Sequence, residues 1–315
     1  MKLQALILIF VIVISFYVLK EGSSISQGKS EIDQSVGMAS LGEINNGEPI
    51  VVKEEITVIP ANAVVESPKI EKDEELPINC RSVSSKIFAI KDLDDNKVIL
   101  EKNPDNHWPV ASITKLMTAI VALENLNLSS VVEITQEAIL SADGFSTLAI
   151  KEKYSVEDLL EASLVFSSND ASYALAQGLG QDIFVQKMND KAKEIGMSQT
   201  SFVEPSGLSY LNQSTANDLA TLLSYIYRNH PLILNMTRQK TASIKERVSG
   251  KTKKFSNIDL FAGQSNFFGG KTGFIDQSGG NLVTLFQKGG KMFFVGVLGS
   301  QDRFGEVSKL LECIE

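Results

Sequence analysis

"WPVASITKLMTAIVAL", residues 108–123, is the stretch on which the reading of this chain turns. From Ser112 onward the pattern predicts a helix over 112–127, and almost everything after Lys115 is apolar or small. A buried-looking helix that carries a lysine on its inner face, directly over a serine, needs a reason. Positions i and i+3 share a helix face, so the Lys115 amine projects toward the Ser112 hydroxyl. Ser112, in the first turn, lies near the positive end of the helix dipole. An amine desolvated among Leu116, Met117 and neighbouring strands has its charged form disfavoured and can accept a proton. The pair then reads as a serine nucleophile with a lysine base. It reads equally as an N-cap serine followed by a lysine that snorkels to solvent, and S-x-x-K alone does not separate the two.

The surrounding pattern predicts an α+β fold. "SKIFAIKDL" (85–93) and "KVILEKN" (97–103) are strand-like and joined by a turn. Helices are predicted over 155–166, opened by Ser155 and Asp158 in capping-box spacing, and over 169–180, 182–196 and 214–230. The 214–230 helix stops before Pro231. Strands follow over 269–275, 280–287 and 291–299, with Gly289-Gly290 marking a tight hairpin. A last helix covers 303–314. Strands first, helices in the middle and strands last imply an antiparallel sheet built from both ends of the chain, flanked by helices, with an all-helical lobe between.

Ahead of this lies a different composition. Residues 3–19, "LQALILIFVIVISFYVL", form an uncharged apolar run of roughly 25 Å as a helix, near the thickness of a hydrocarbon core. No small-residue cleavage site follows Leu19, so residues 1–20 read as an uncleaved transmembrane signal-anchor. Lys2 and Lys20 flank the run almost equally, and charge does not set its orientation. Residues 21–79 contain no aromatic residue and carry twelve acids against four lysines, the signature of an acidic disordered linker. That segment accounts for the whole chain's net charge of −8. Outside that segment the chain balances to zero, +2 from Lys2 and Lys20 against −2 in the remainder, 80–315, which gives no electrostatic reason to expect nucleic acid. The two cysteines, Cys80 and Cys313, stand near the two ends of this remainder. They read either as two buried thiols or, outside the cytoplasm, as a disulfide closing a long loop.

Only His107 and His230 are present. His107 lies in the polar turn "NPDNHWP" and His230 at a helix end beside Pro231, so neither context suits the base of a Ser-His-Asp triad. Two other clusters bear on the Ser112–Lys115 pair. "SSN" at 167–169 places Ser167 and Asn169 in a tight turn between two predicted helices. "GGKTG" at 269–273 opens a strand whose glycines admit a close approach, while Lys271 and Thr272 offer a cation and a hydroxyl suited to a carboxylate. In this order and at these separations the three clusters match the signature of the penicillin-recognising serine acyl-transferases.

The stretch from about 84 to 312 resembles the D-alanyl-D-alanine carboxypeptidases, the low-molecular-weight penicillin-binding proteins of peptidase family S11. "ASITKLMTA", "DLLEASLVFSSNDAS", "FVEPSGLS" with "STANDLA", and "GGKTGFIDQSGGNLV" look like family blocks in family order. The resemblance implies a β-lactamase/transpeptidase-like fold and an acyl-enzyme mechanism without metal or organic cofactor. Ser112 would attack the D-Ala-D-Ala carbonyl of a peptidoglycan stem peptide, and Lys115 would take its proton. Ser167 with Lys271 would relay a proton to the leaving amine, and Asn169 would orient Lys115 and the substrate amide. Thr272 would bind the terminal carboxylate, with Gly273 beside it on the substrate strand and Arg303 in support. The backbone N–H groups of Ser112 and Phe274 would form the oxyanion hole. β-Lactam antibiotics would be inhibitors. The substrate also fixes the orientation that the lysines left open: a single-pass protein of the cell membrane with its catalytic domain, 80–315, outside the cytoplasm.

The chain departs from the family pattern in places. Ile275 stands where threonine is common, Ser168 replaces a small residue, and Glu204-Pro205-Ser206-Gly207 is closer to the related D,D-endopeptidases than to the carboxypeptidases. The expected activity is a serine-type D-Ala-D-Ala carboxypeptidase, with a D,D-endopeptidase as the alternative. A β-lactamase would need an acid poised on the deacylating water, for which Glu204 is the candidate. A penicillin or muropeptide sensor would keep acylation and lose turnover.

Overall fold

Strand residues alternate between two buried faces, and this alternation sets the architecture. The computed structural model describes residues 82–142 and 146–314, which fall within one compact unit, Pro68–Glu315. The apolar run 3–19, the acidic segment 21–79 and Cys80 lie outside the described residues. Among the described residues, no helix is long and apolar enough to cross a membrane.

In chain order the elements are β1 (Ile87–Asp92), β2 (Lys97–Lys102), β3 (Trp108–Pro109), a 3-10 turn (Ala111–Ile113), α1 (Thr114–Asn125), β4 (Val131–Glu133), α2 (Gln136–Leu140) and β5 (Lys153–Ser155). Then come α3 (Val156–Val165), α4 (Asn169–Gln177), α5 (Gln181–Glu194), β6 (Gln213–Ser214), α6 (Ala216–Asn229) and α7 (Pro231–Thr237). The chain continues through β7 (Thr241–Lys245), β8 (Thr252–Ser256), β9 (Phe267–Ile275), β10 (Gly279–Lys288), β11 (Lys291–Ser300) and α8 (Arg303–Glu312).

Five strands form one antiparallel sheet in the order β2-β1-β11-β10-β9. Ile87, Ala89, Val283, Leu285, Phe294 and Leu298 face one core, shared with α1 and the helices around it. Their neighbours Phe88, Ile90, Leu282, Phe286, Val295 and Val297 face a second core, closed by Val307 and Leu310 of α8. Period-two alternation with both faces apolar is what a sheet covered on both sides requires. The hairpin between β10 and β11 turns through Gly289 and Gly290, at φ 60° and 82°, as its type I′ geometry demands.

α1 is the central helix of the larger core, with every residue from Thr114 to Ala122 buried. Leu116, Met117, Ile120 and Val121 are each no more than 1% exposed, contributing about 2 kcal/mol apiece by area. α3 opens with the capping box expected of Ser155 and Asp158: the Ser155 hydroxyl accepts from the Asp158 N–H at 3.1 Å and the carboxylate accepts in return at 3.2 Å.

Three expectations are corrected. The helix expected from 112 starts two residues later, at Thr114, and Ser112 sits in the 3-10 turn that leads into it. Pro231 does not merely end a helix but begins α7, at the first helical position where its missing N–H costs nothing. The lobe is not all-helical: β4 pairs with β5 and β7 with β8, short ladders whose strands are too brief or too polar to stand out by alternation. Cys313 is disulfide-bonded.

Candidate active site

Three segments distant in sequence meet at the start of α1. The 3-10 turn carrying Ser112 is pinned to the sheet from both sides. The Trp108 Nε1–H donates to Ser278 O at 2.9 Å, Asn281 Nδ2 donates to Pro109 O at 2.8 Å, and Asn281 Oδ1 accepts from the Gly299 N–H at 3.0 Å. β9 is the sheet's outer strand and packs against this turn. A Cβ on Gly273 would lie 2.7 Å from Val110 O and 3.2 Å from Ser112 N, so only glycine admits the approach. On the other side, Gly207 at φ +88° brings a loop so close that a Cβ would overlap the Ala111 carbonyl.

Lys115 lies beneath Ser112 with none of its surface exposed. Its Nζ lies 3.0 Å from Ser112 Oγ, 2.7 Å from Asn169 Oδ1 and 2.5 Å from Ser206 O. Two of these partners are carbonyl oxygens, which only accept. A neutral amine therefore gives its two N–H bonds to Asn169 and Ser206 and turns its lone pair to the one partner with a proton to give, the Ser112 hydroxyl. Burial pushes the Lys115 ammonium down to about 7, against the pull of the Glu204 and Asp170 carboxylates. The snorkelling alternative is thereby excluded.

Lys271 of β9 is the second buried lysine, 2% exposed, with Nζ 3.0 Å from Ser167 Oγ and 3.1 Å from Thr272 O. Burial holds its ammonium well below the ordinary value, and the nearby Lys115 charge pushes the same way. Arg303, the first residue of α8, donates from Nη1 to Gly273 O at 2.9 Å and so braces the strand that carries Lys271 and Thr272. Phe274 follows on the same strand and is 61% exposed. Lys115 thus joins Ser112 to Asn169, Lys271 meets Ser167, and Gly273, braced by Arg303, packs against the turn of Ser112, with Thr272 buried and Phe274 exposed on the same strand. Two non-glycine residues there take left-handed backbone, Ala111 at φ 51° and Ser167 at φ 66°, a conformation that costs roughly 1–3 kcal/mol each.

A family model described as D-alanyl-D-alanine carboxypeptidase, peptidase S11, matches residues 71–302. The chain belongs to the S11 peptidases. The D-alanyl-D-alanine endopeptidase of Pseudomonas aeruginosa is 33% identical to it over 249 residues, 76% of this chain and 80% of that protein. A D-alanyl-D-alanine carboxypeptidase of Mycobacterium tuberculosis is 30% identical over 217 residues, 67% of this chain and 73% of that protein. The crystal structure of penicillin-binding protein D2 from Listeria monocytogenes in its ampicillin-bound form superposes with a TM-score of 0.66 at 30% identity, covering 74% of this chain and 98% of that one.

In this S11 peptidase the supporting residues were the harder ones to foresee. Glu204 is buried, and its carboxylate is fully occupied. Oε1 accepts from the N–H groups of Gly207 and Ser209 and from Asn212 Nδ2, at 2.6, 3.3 and 2.9 Å. Oε2 accepts from the Ser206 N–H and hydroxyl and from the Tyr173 hydroxyl, at 2.7, 2.6 and 3.2 Å. With no lone pair left over, Glu204 does not activate a water, which removes the basis for the β-lactamase reading. Its work is to shape the loop that presents Ser206 O to Lys115. Glu204→Gln would set an amide N–H₂ against these donors, and we expect a loss of about 3 kcal/mol. Thermal denaturation should show it as a fall of roughly 6–12 °C in Tm.

Asp170 plays the matching part on the other side. Its Oδ2 accepts from the Ser146 hydroxyl and from the N–H groups of Thr147 and Leu148, at 2.8, 2.7 and 2.8 Å, tying the 146–148 segment to the turn that holds Ser167 and Asn169. A burial pattern could not reveal either carboxylate. An acid next to a catalytic turn carries no periodic signal. The two histidines are elsewhere: His230 Nε2 meets Glu124 Oε1 at 3.2 Å, and His107 lines a surface cleft beside Trp108.

Proposed function

We propose that the chain is a serine D,D-peptidase that hydrolyses D-Ala-linked peptide bonds in peptidoglycan through an acyl-enzyme. One observation carries the reading: the buried Lys115 amine sits between the Ser112 hydroxyl and two carbonyl acceptors, so its neutral form has only Ser112 left to deprotonate. Ser112 Oγ attacks the carbonyl of the D-alanine on the acyl side of the bond as its proton passes to Lys115. The Ser112 and Phe274 N–H groups hold the oxyanion, with donors of this kind contributing about 3–4 kcal/mol each. A proton from the Ser167–Lys271 pair reaches the leaving amine, the C–N bond breaks, and water then hydrolyses the ester. Thr272, Lys271 and the strand braced by Arg303 receive the carboxylate of the departing residue. β-Lactams acylate the same serine.

Between trimming a terminal D-alanine and cutting a D,D cross-link, cross-link hydrolysis is favoured. The Pseudomonas aeruginosa relative, named an endopeptidase, is matched over more of its length than the Mycobacterium tuberculosis carboxypeptidase. The Glu204–Gly207 loop wording agrees with it. In this reading residues 1–20 anchor the chain in the cell membrane, and 21–79 tether the catalytic domain outside it.

The test is mass spectrometry of purified muropeptides incubated with the full chain in detergent. Monomers released from dimers are expected. Loss of one alanine from monomers would instead establish the carboxypeptidase. Intact muropeptides under conditions where penicillin labels the protein would point to a sensor. Ser112→Ala should abolish both cleavage and labelling.

A further inference from the structure

The chain has one tryptophan, Trp108, and it lines a cleft of about 410 Å³ that the acyl-transfer steps do not use. The indole is half-buried, and its orientation is set from two sides. Its Nε1–H donates to Ser278 O, between β9 and β10, so the ring's one polar group is already engaged. Its benzo edge lies on β11, where a Cβ on Gly299 would be 2.7 Å from Trp108 Cζ2. The same glycine admits the aliphatic stem of Lys86, whose Cγ would be 2.8 Å from that Cβ.

Polar groups surround the ring. The 103–106 turn is closed by the Asn106 N–H on Asn103 O at 3.1 Å, with Asn103 in left-handed backbone at φ 51°. Asn103 Nδ2 donates to Lys86 O at 3.1 Å, and Asp105 Oδ1 accepts from Asn217 Nδ2 at 2.5 Å. Lys86, Asn106 and His107 are exposed and line the same cleft. Asn217 Oδ1 accepts from the Lys91 amine, and both residues line a second cleft of about 480 Å³ that reaches Tyr225 and Asn229 on α6. The two clefts adjoin at the Asp105–Asn217 contact.

An aromatic ring rimmed by amide, carboxylate, imidazole and ammonium groups matches a sugar better than other ligands. The negative face of an indole attracts the polarised C–H groups of a pyranose, and the rim groups pair with its hydroxyl and acetamido groups. An apolar peptide would leave the rim unpaired, and an inorganic anion would leave the ring unused. The position agrees. Trp108 precedes Ser112 by four residues, a span of at most about 14 Å, and a four-residue stem peptide extends to a similar length between its sugar and the bond to be cut. We propose that the Trp108 cleft is a glycan subsite, taking an N-acetylated amino sugar of the peptidoglycan strand whose stem peptide occupies the catalytic cleft. This rests on the D,D-peptidase reading and adds to it a preference for glycan-linked over sugar-free stem peptides.

Because Trp108 is the only indole, the tryptophan emission of the full chain in detergent reports on this cleft alone. Titration with tetra-N-acetylchitotetraose, a peptide-free amino-sugar oligomer, should change the emission saturably. Cellotetraose, which lacks the acetamido groups, should not. In the Asn106→Ala/His107→Ala variant the chitotetraose midpoint should weaken about tenfold, the loss expected for roughly one hydrogen bond. The KM for disaccharide-bearing muropeptides should rise by a similar factor with kcat unchanged, while the KM for the same peptides stripped of sugar and the rate of acylation by benzylpenicillin stay as they are. The proposal is overturned by an emission that does not respond to chitotetraose, by an equal response to both sugars, or by a variant that binds and turns over like the wild type. If the variant also loses penicillin acylation, the contrast between the two sugars on the wild-type protein decides. If penicillin does not label the wild type, the peptidase reading fails, and the sugar titration still decides whether the cleft takes a glycan.

Discussion

Replacing Lys115 with methionine should reduce acylation by benzylpenicillin about a thousandfold while leaving the fold intact. The size follows from losing the base that activates a serine hydroxyl. Wild-type acylation should itself fall about tenfold per pH unit below roughly 7, where the amine becomes protonated. The substitution has a second consequence in stability. Burial lowers the Lys115 midpoint from 10.5 to about 7, so in that window the unfolded chain holds a proton that the folded chain does not. The contribution of the neutral lysine is therefore fully present above 10.5 and is lost as pH falls through 7, a change on the order of 5 kcal/mol. Methionine removes this dependence but leaves Asn169 Oδ1 and Ser206 O without their donor, at a cost of about 1–3 kcal/mol each. The variant should accordingly gain on the wild type by several kcal/mol between pH 10 and pH 7. Urea unfolding at the two pH values measures this. A stability difference that stays constant would mean that Lys115 is charged in the folded protein and is not poised as a base.

The second large effect is expected at Gly207. Gly207 and Gly196 share a φ of +88° and differ in what surrounds them. A Cβ on Gly196 meets nothing within 4 Å, whereas on Gly207 it would overlap the Ala111 carbonyl and lie 2.8 Å from Ser112 N. Gly196→Ala should cost only the left-handed penalty, about 1–2 kcal/mol. Gly207→Ala should cost roughly 4 kcal/mol or more, because backbone must move to admit the methyl group. The backbone that moves carries Ser206 O on one side and Ser112 on the other, so a shift of about 1 Å should also cut acylation roughly a hundredfold. Parallel denaturation and penicillin-labelling measurements on the two variants separate the clash from the dihedral. Similar losses in both would show that the 207 loop can yield without disturbing the nucleophile.

The groups proposed to carry the chemistry were brought forward by the sequence because their spacing is local. Ser112 and Lys115 sit one helical turn apart, Ser167 and Asn169 share a turn, and Lys271 to Phe274 are consecutive on one strand. The groups that set the state of that chemistry could not be read. Ser206 contributes a backbone carbonyl, which every residue has. Glu204 acts through a loop folded back on itself. The five-stranded sheet was legible for the same reason as the motifs, since its strands alternate strongly and its hairpin has a two-glycine turn. The β7–β8 ladder was not, because "TASIK" buries only Ala242 and Ile244, "TKKFS" buries no residue fully, and their other side chains are mostly small or charged. Pro231 was half legible: proline ends one helix and can begin the next, and only the packing of Ile233, Leu234 and Met236 into the core decides that it does both.

The order of strands has a bearing on how the protein is made. β11 lies at the middle of the sheet, between β1 and β10, yet it is the last strand in the sequence. A chain emerging from its N-terminus completes the β1–β2 hairpin at Lys102 about 190 residues, and α7 at Thr237 about 50 residues, before β11 begins at Lys291 and joins them to the KTG segment. During that interval the inner edge of β1 is unpaired, with Ile87, Phe88, Ala89 and Ile90 lacking the partners that bury them. The nascent protein is for that time both sticky and hydrolytically silent, and the cleft closes only as residues 291–300 zip in.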